Sequence, residues 1–190
     1  MGKNNKQGQR QSQGAGTKNN HQNNGALRLT AFTDASVSEA GEATAAIILM
    51  NVRQNFIYSA HVMNMGFNLT SNQAEMAAMI TALGVAPAGT LEKIVCDNIG
   101  AVESLRKHRY RGTSKQTRLL SDADMDALDD GISRHRRVIF ERVPRSDNNI
   151  RLADKFSRLA RGMEPGVKSA RPLDGLRLFD QKQQIGRAHV

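Results

Sequence analysis

The chain has 190 residues, 39% of them hydrophobic, and a formal net charge of +9. This length allows one good-sized hydrophobic core, and the single cysteine excludes an intramolecular disulfide or a zinc cluster built on several cysteines. No stretch reaches the roughly 18 consecutive apolar residues that cross a membrane. We therefore expect a soluble, monomeric protein of the cytoplasm.

The positive charge is concentrated at the two ends of the chain. Residues 1–24 carry four Lys or Arg and no acid, residues 161–190 carry six against three acids, and residues 25–160 carry 17 against 15. Such an excess is typical of proteins that bind a polyanion such as nucleic acid, although many basic proteins use it only for solubility. Residues 1–25 are mostly Asn, Gln, Gly and basic residues with nothing to bury, so they are predicted to be a disordered arm.

From residue 27 onward the hydrophobic pattern predicts strands and helices in a definite order. Three strands come first, and the short segments between them favour an antiparallel arrangement. A helix follows, with buried-face spacing over residues 76–83 and capping residues at 70–72. The predicted strands are residues 29–35, 44–51, 56–62, 91–97 and 137–143, and the three later helices begin at residue 99 and cover about residues 122–132 and 150–160.

This order of elements indicates one α/β domain over residues 26–162. Three antiparallel strands followed by parallel additions form a mixed five-stranded sheet with helices on its faces. Residues 106–118 are basic and predicted to be turn-like, and they either contact phosphates or form a solvated loop.

The segment after this domain, residues 163–190, is predicted to be flexible. Its last six residues, Ile-Gly-Arg-Ala-His-Val, match the translation of a widely used short-read sequencing adapter. We therefore hypothesise that the native sequence stops or changes near Gln184. Finding the codons of residues 185–190 in uninterrupted genomic DNA would end that hypothesis.

Four acidic residues occur at positions where burying a charged carboxylate would be unfavourable. Asp34 and Asp97 lie at the ends of β-type apolar runs, and Glu75 and Asp154 lie in the first turns of amphipathic helices. Each alone is also typical of a turn or a helix start. If the strands that carry Asp34 and Asp97 are parallel neighbours, their carboxylates meet at the sheet edge where α/β sheets bind ligands. Because burying carboxylates is unfavourable without compensation, four converging acids predict a divalent cation.

The four acids stand in four short motifs, in this order: Thr33-Asp34-Ala35-Ser36, Thr70-Ser71-Asn72-Gln73-Ala74-Glu75, Asp97-Asn98 and Ala153-Asp154, with Val143-Pro144-Arg145 as the lead-in to the last. These motifs resemble the ordered motifs of type 1 ribonuclease H, and more closely those of its archaeal and plant-like branch. The resemblance covers about residues 28–160, and it implies a ribonuclease H-like fold in which Asp34, Glu75, Asp97 and Asp154 are the catalytic, metal-binding acids.

The resemblance also implies a substrate, an RNA:DNA hybrid. Asn72 and Gln73 are then expected to contact its minor groove, where amide side chains that both donate and accept hydrogen bonds suit the 2′-hydroxyls of RNA. Asn72 has a second interpretation as a helix cap. Further candidate substrate-binding residues are Ser36, Asn98, Arg145 and Asn149.

The loop before the last acid departs from the family. Many relatives carry a histidine there that is thought to help the product leave, whereas residues 143–149 contain none. Arg145 or Asn149 substitutes for it, or product release is slower. The distance along the chain from Arg145 to Asp154 is also about two residues longer than usual.

The chemistry of phosphodiester hydrolysis agrees with this set of residues. An activated water, neutralised charge on phosphorus and a stabilised leaving oxygen can all be supplied by two Mg²⁺ ions about 3.5 to 4 Å apart, with Mn²⁺ as an alternative. We therefore expect a metal-dependent endonuclease that cuts the RNA strand of RNA:DNA hybrids. The alternatives are another nuclease of the superfamily, such as a DNA resolvase or a reverse-transcriptase-associated domain, and a non-catalytic nucleic-acid-binding domain.

Overall fold

A mixed six-stranded sheet with four helices forms the part of the chain that the computed structural model describes, residues 27–111 and 120–170. The predicted arm at 1–25, residues 112–118 of the basic segment and residues 171–190 lie outside the described residues. In chain order the elements are β1 (Leu29–Val37), β2 (Glu42–Asn51), β3 (Phe56–Phe67), α1 (Ser71–Val85), β4 (Leu91–Cys96), α2 (Ile99–Arg111), α3 (Asp122–Arg134), β5 (Ile139–Arg142), α4 (Asn148–Leu159) and β6 (Gly166–Ala170).

The strand order across the sheet is β5-β4-β1-β2-β3-β6. β1, β2 and β3 form the expected antiparallel meander, and β4 and β5 add to it in parallel with β1. Phe32 of β1 pairs with Val95 of β4, so the residues two positions further along each strand, Asp34 and Asp97, come to the same edge. The predicted fold class is confirmed, and so is the parallel pairing on which the meeting of these two acids depends.

Helices cover both faces of the sheet, which explains why β2 reads as an almost continuous apolar run. Alternate strand residues face opposite sides. Ile47 packs with α1, α2 and α3, in the cluster that includes Met76 and Leu105, whereas its neighbour Ile48 packs against α4 with Phe156. None of the described helices is both long enough and apolar enough to cross a membrane.

Helix α1 begins with a capping box. The Thr70 side chain accepts from the backbone N–H of Gln73, and the Gln73 side chain accepts in turn from the backbone N–H of Thr70. The cap therefore lies within the predicted residues 70–72, but it is Thr70. Asn72, which also had an interpretation as a cap, is the second residue of the helix.

Two predictions about local structure are corrected. The segment 106–111 is helical, because α2 continues to Arg111. The sheet has one strand more than predicted, because residues 166–170, expected to be flexible, pair antiparallel with β3. Asn64 of β3 stabilises this return of the chain by donating its Nδ2 to the Met163 carbonyl at 2.6 Å.

Candidate metal centre and active site

Asp34 is buried near the end of β1. Its side chain is only 3% exposed, and the Ser157 hydroxyl of α4 donates a hydrogen bond of 3.1 Å to its Oδ2. Burial raises the pKa of Asp34 from 3.8 to about 7, the nearby carboxylates of Asp154 and Asp97 add to the rise, and the Ser157 hydrogen bond and Arg145 oppose it. The position thus holds a carboxyl group whose charge the protein alone does not fully compensate.

Glu75 is a second buried acid whose pKa is raised. It is the fifth residue of α1 and is 4% exposed. Burial raises its pKa from 4.5 to about 8, with Asp34 as the next largest cause and Asp97 adding to it, while hydrogen bonds from the Cys96 thiol and the Ala35 backbone act the other way. The Cys96 Sγ lies 3.4 Å from Glu75 Oε2.

Asp97 immediately follows β4 and is more accessible than these two acids. Oxygen atoms of Glu75 and Asp97 and the sulfur of Cys96 lie within 4.8 Å of one another, a spacing that could hold a metal ion. Burial, followed by the charge of Glu75, raises the pKa of the Cys96 thiol, which keeps it protonated as a hydrogen-bond donor. The hard carboxylate oxygens are the donors that fit Mg²⁺.

Asp154 lies in α4, close enough to raise the pKa of Asp34. Arg158, one helical turn further, donates Nη2 to both of its oxygens at 2.9 and 2.8 Å. Arg145 stands between two of the acids, with Nη2 3.6 Å from Asp154 Oδ1 and Nε 3.9 Å from Asp97 Oδ2. The Arg145 side chain is nonetheless 73% exposed, so this cation is free to exchange its partners.

The acids face an open depression of about 460 Å³ at the carboxyl end of β1 and β4. Three of the four acids, Asp34, Glu75 and Asp97, line it together with Ser36, Asn98 and Arg145. Asp154 is connected to it through Arg145. The predicted acids therefore come together at one place, although they are spread over 121 positions of the sequence from 34 to 154.

Two predicted amide side chains, those of Asn72 and Asn98, lie near each other; Asn98 lines the depression, and Asn72 is not among the residues found to line it. Asn98 caps α2, since its Oδ1 accepts from the backbone N–H of Ala101 at 3.1 Å. A Cβ on Gly100 would lie 3.1 Å from the Asn72 Oδ1 and 3.4 Å from the Asn98 Oδ1. The missing side chain at Gly100 thus lets both amides approach the first turn of α2.

The other predicted substrate-binding residues take part in local contacts. The Ser36 hydroxyl accepts from Arg161 Nη2 at 2.5 Å, at the rim of the depression. The Gln73 side chain belongs to the capping box of α1. Asn149 lies at the start of α4, where its backbone N–H donates to the capping residue Asp147 at 2.9 Å. Gln73 and Asn149 are not among the residues found to line the depression.

Three residues that form hydrogen bonds to the acids, Ser157, Arg158 and Cys96, were not predicted from the sequence. For two of them the sequence spacing indicates the contact. Arg158 follows Asp154 by four positions and Ser157 by three, which is the spacing at which helical side chains meet. Cys96 is an apolar-strand residue of β4 without such a signal. Its hydrogen bond to Glu75 depends on how α1 lies against β4, which no local pattern reveals.

Comparisons with known proteins agree with this fold. A family model described as reverse transcriptase-like matches residues 32–160. No curated protein sequence matches the chain. Among solved structures, ribonuclease H1 from the archaeon Halobacterium salinarum is 19% identical, with a TM-score of 0.53 over 70% of this chain and 96% of that one.

Two further structures are similar. The N-terminal ribonuclease H domain of a Mycobacterium tuberculosis protein is 19% identical, with a TM-score of 0.58 over 71% of this chain and 94% of that one. A foamy viral protease-reverse transcriptase, solved in complex with an RNA/DNA hybrid, is 16% identical with a TM-score of 0.53 over 73% of this chain and 20% of that one. The expected ribonuclease H-like fold is thereby confirmed.

Proposed function

The chain belongs to the reverse transcriptase-like family and has the ribonuclease H fold, and on that premise we propose that it is a metal-dependent endonuclease that hydrolyses the RNA strand of RNA:DNA hybrids. One observation carries the proposal. Three carboxylates, those of Asp34, Glu75 and Asp97, line one open depression, Asp154 is linked to it through Arg145, and burial raises the pKa values of Asp34 and Glu75 to about 7 and about 8.

The raised pKa values support a cation at these residues. Buried neighbouring carboxylates resist ionisation because burial removes the water that stabilises their charges and because those charges repel, and a divalent ion reverses that balance by favouring the charged forms. Asp34, Glu75, Asp97 and Asp154 would hold the metal. When bound, two Mg²⁺ or Mn²⁺ ions supply an activated water, neutralise charge on the phosphate and stabilise the leaving oxygen.

The chain's own residues orient the acids. The Ser157 hydroxyl occupies one lone pair of Asp34 Oδ2, and the Cys96 thiol approaches Glu75 Oε2, so each carboxylate has a fixed direction in which its remaining lone pairs point. Arg158 holds Asp154 through both oxygens. Fixed ligands reduce the reorganisation needed when substrate arrives.

Arg145 is proposed to take the part of the missing loop histidine. Its exposed guanidinium lies within 4 Å of two acids, so it can leave them for the charged phosphate of a departing product. Arg145→Ala should then slow multiple-turnover cleavage more than single-turnover cleavage. Equal slowing in both regimes would contradict a role in product release.

The amides of Asn72 and Asn98 support RNA recognition. Amide groups can donate to and accept from 2′-hydroxyls and base edges in a shallow minor groove. That the similar foamy viral structure was solved with an RNA/DNA hybrid is consistent with this substrate class. A second foamy viral structure that matches the chain was solved with double-stranded DNA, so a DNA substrate must be tested beside the hybrid.

Cleavage of one labelled strand tests the proposal directly. The same sequence is prepared as an RNA:DNA hybrid, an RNA duplex and a DNA duplex, with Mg²⁺ or with EDTA. We expect only the RNA strand of the hybrid to be cut, only with Mg²⁺, leaving a 5′-phosphate and a 3′-hydroxyl. Comparable cleavage of the DNA duplex would favour a DNA-directed nuclease, and binding without any cleavage would favour a non-catalytic domain.

A further inference from the structure

A second pocket lies at the opposite end of the sheet from the acids. It is about 330 Å³ in volume and lies where β4 begins and α3 ends. Four arginines line it, Arg28, Arg134, Arg136 and Arg137, whereas Glu92 is the one acid found in its lining. All four arginines are exposed. This concentration of positive charge occurs in a domain whose charges otherwise almost balance.

The acids near this pocket are already paired. Glu92 forms an ion pair with Arg28 and has a second cation, Arg53, at 3.9 Å. Asp130 lies 3.9 Å from Arg134. The positive charge of Arg136 and Arg137 is therefore available to an external anion, since each of the nearby carboxylates has a cation of its own.

The turn that carries these arginines is held in place by its backbone. The carbonyl oxygens of Arg134, His135 and Arg136 accept from Gly89 N at 3.2 Å, Val138 N at 2.8 Å and Arg109 Nη2 at 2.6 Å. Because its carbonyl acceptors are used internally, the turn offers mainly guanidinium donors to the pocket. It is thus organised before any ligand arrives.

The side chain of His135 also holds this turn in place. Its side chain is buried, with Nε2 donating to the Leu83 carbonyl at 3.0 Å and Nδ1 accepting from Leu91 N at 3.4 Å. Burial lowers the pKa of His135, so it acts as a neutral anchor between α1 and β4. The arginines on either side of it project from a rigid support.

The position of the pocket relates it to two other parts of the chain. Leu29 begins β1 and Asp34 lies five residues later, so at about 3.3 Å per residue the pocket end lies roughly 17 Å from the acids along that strand. Leu27 lines the pocket, and residues 1–24, with four basic residues and no acid, precede it in the sequence. Along the sequence, the basic segment thus comes just before the first residue that lines the arginine pocket.

From these observations we infer that the arginine pocket is a second nucleic-acid-binding site, which contacts phosphates outside the segment held at the acids. Guanidinium groups bind phosphate oxygens in pairs and retain their charge at any physiological pH. Contacts of this kind add affinity without reading sequence, and they release counterions, so binding weakens as salt rises. An acidic protein segment is the competing ligand; nucleic acid is favoured because the chain belongs to the reverse transcriptase-like family and because four basic residues and no acid occur in the 24 residues at the start of the sequence.

The test removes two charges from the pocket of the full chain. Arg136→Gln/Arg137→Gln changes exposed side chains and leaves the backbone contacts of the turn intact. Lys155→Gln/Lys168→Gln is the matched control, since both lysines are exposed and neither lines the pocket. Binding of a labelled hybrid several helical turns long is measured by fluorescence anisotropy in EDTA over a range of salt concentrations, and binding of a labelled Asp/Glu-rich peptide is measured beside it.

We expect the arginine variant to bind the hybrid roughly tenfold more weakly at low salt and to reduce the slope of log affinity against log salt by about 2, while the control keeps a slope close to the parent's. Equal losses in both variants, or no loss, would overturn the inference. So would loss of peptide binding alone, which would assign the pocket to an acidic protein. If the parent binds in this way but cleaves nothing, the nuclease proposal fails and the second site stands.

Discussion

The two ends of the central sheet carry opposite charges in different surroundings. At the carboxyl ends of β1 and β4, Asp34 and Glu75 are almost completely buried and their pKa values are raised to about 7 and about 8. At the amino ends of the same strands, Arg136 and Arg137 are exposed to water. Buried charge demands one specific partner, whereas exposed charge interacts weakly with any polyanion and is screened by salt. The acid end is thus suited to chemistry and the arginine end to affinity.

The largest expected effect on cleavage comes from removing one carboxylate at the acid end of the sheet. Asp97→Asn keeps the shape of the side chain but removes a charge, a metal ligand and repulsion against its neighbours. We expect nearly all hybrid cleavage to be lost, while the variant still binds hybrid and is at least as thermally stable as the parent in EDTA. Asp126→Asn, on an exposed position of α3, is the matched control and should cleave normally. Failure of Asp97→Asn to fold would make it a structural acid, and retained cleavage would remove the metal-site model.

The two ends should also respond to pH in opposite directions when metal is absent. Asp34 and Glu75 have folded-state pKa values raised above 3.8 and 4.5, so the stability they contribute is complete below those values and is lost as the pH rises through about 7 and 8. His135 has a pKa lowered from 6.5, so its contribution is present above that value and is lost as the pH falls below it.

Thermal midpoints in EDTA from pH 5 to pH 8 can separate these contributions. Asp34→Asn, which can still accept from Ser157, should reduce the loss of stability on the alkaline side, and His135→Gln should reduce the loss on the acid side. If both variants keep the pH profile of the parent, neither group titrates as its burial requires.

A smaller effect is expected at the rim of the acid end. Asn72 is not the cap of α1, so Asn72→Ala should lower cleavage efficiency and change the free energy of unfolding little. Thr70→Ala removes the actual cap and should cost about 1 kcal/mol of stability with activity per folded molecule retained. The reverse pattern in chemical denaturation and cleavage assays would show that Asn72 is structural and that Thr70 contributes to the substrate site.

The smallest effect is expected from the basic segment at the start of the sequence, residues 1–24. Deleting residues 1–24 removes four positive charges, so hybrid binding should weaken at low salt, with less loss at high salt. The cleavage rate at saturating hybrid should stay close to that of the full chain. A large fall in that saturated rate would show that residues 1–24 contribute to catalysis. It would contradict the assignment of catalysis to the acids and of added affinity to the basic residues.

The acid end was predictable from sequence because each of its acids has a local signature. Asp34 and Asp97 end apolar runs, and Glu75 and Asp154 lie in helices with clear buried faces. What local patterns could not supply was pairing over long distances. Strand β6 forms by pairing with β3, which lies more than 100 positions earlier in the sequence. Its five residues have no core-forming pattern of their own.

The arginine end shows the same limit in another form. Its residues come from the start of β1, the start of β4 and the end of α3, and each arginine alone resembles an ordinary surface residue. Long-range contacts bring them around one pocket, among them the hydrogen bonds of the buried His135 to the backbone of Leu83 and Leu91. The extent of α2 could have been recognised earlier, since residues 106–111 contain neither glycine nor proline.

The most direct test of the metal centre is a calorimetric titration of the nucleic-acid-free protein with Mg²⁺ at pH 7, repeated in buffers of different ionisation enthalpy. At this pH Asp34 and Glu75 are substantially protonated, so Mg²⁺ binding must release protons. We expect measurable binding with proton release in the parent and greatly weakened binding in Asp97→Asn. Absence of binding in the parent, or equal binding in the variant, would contradict the assignment of these carboxylates as a divalent-cation site.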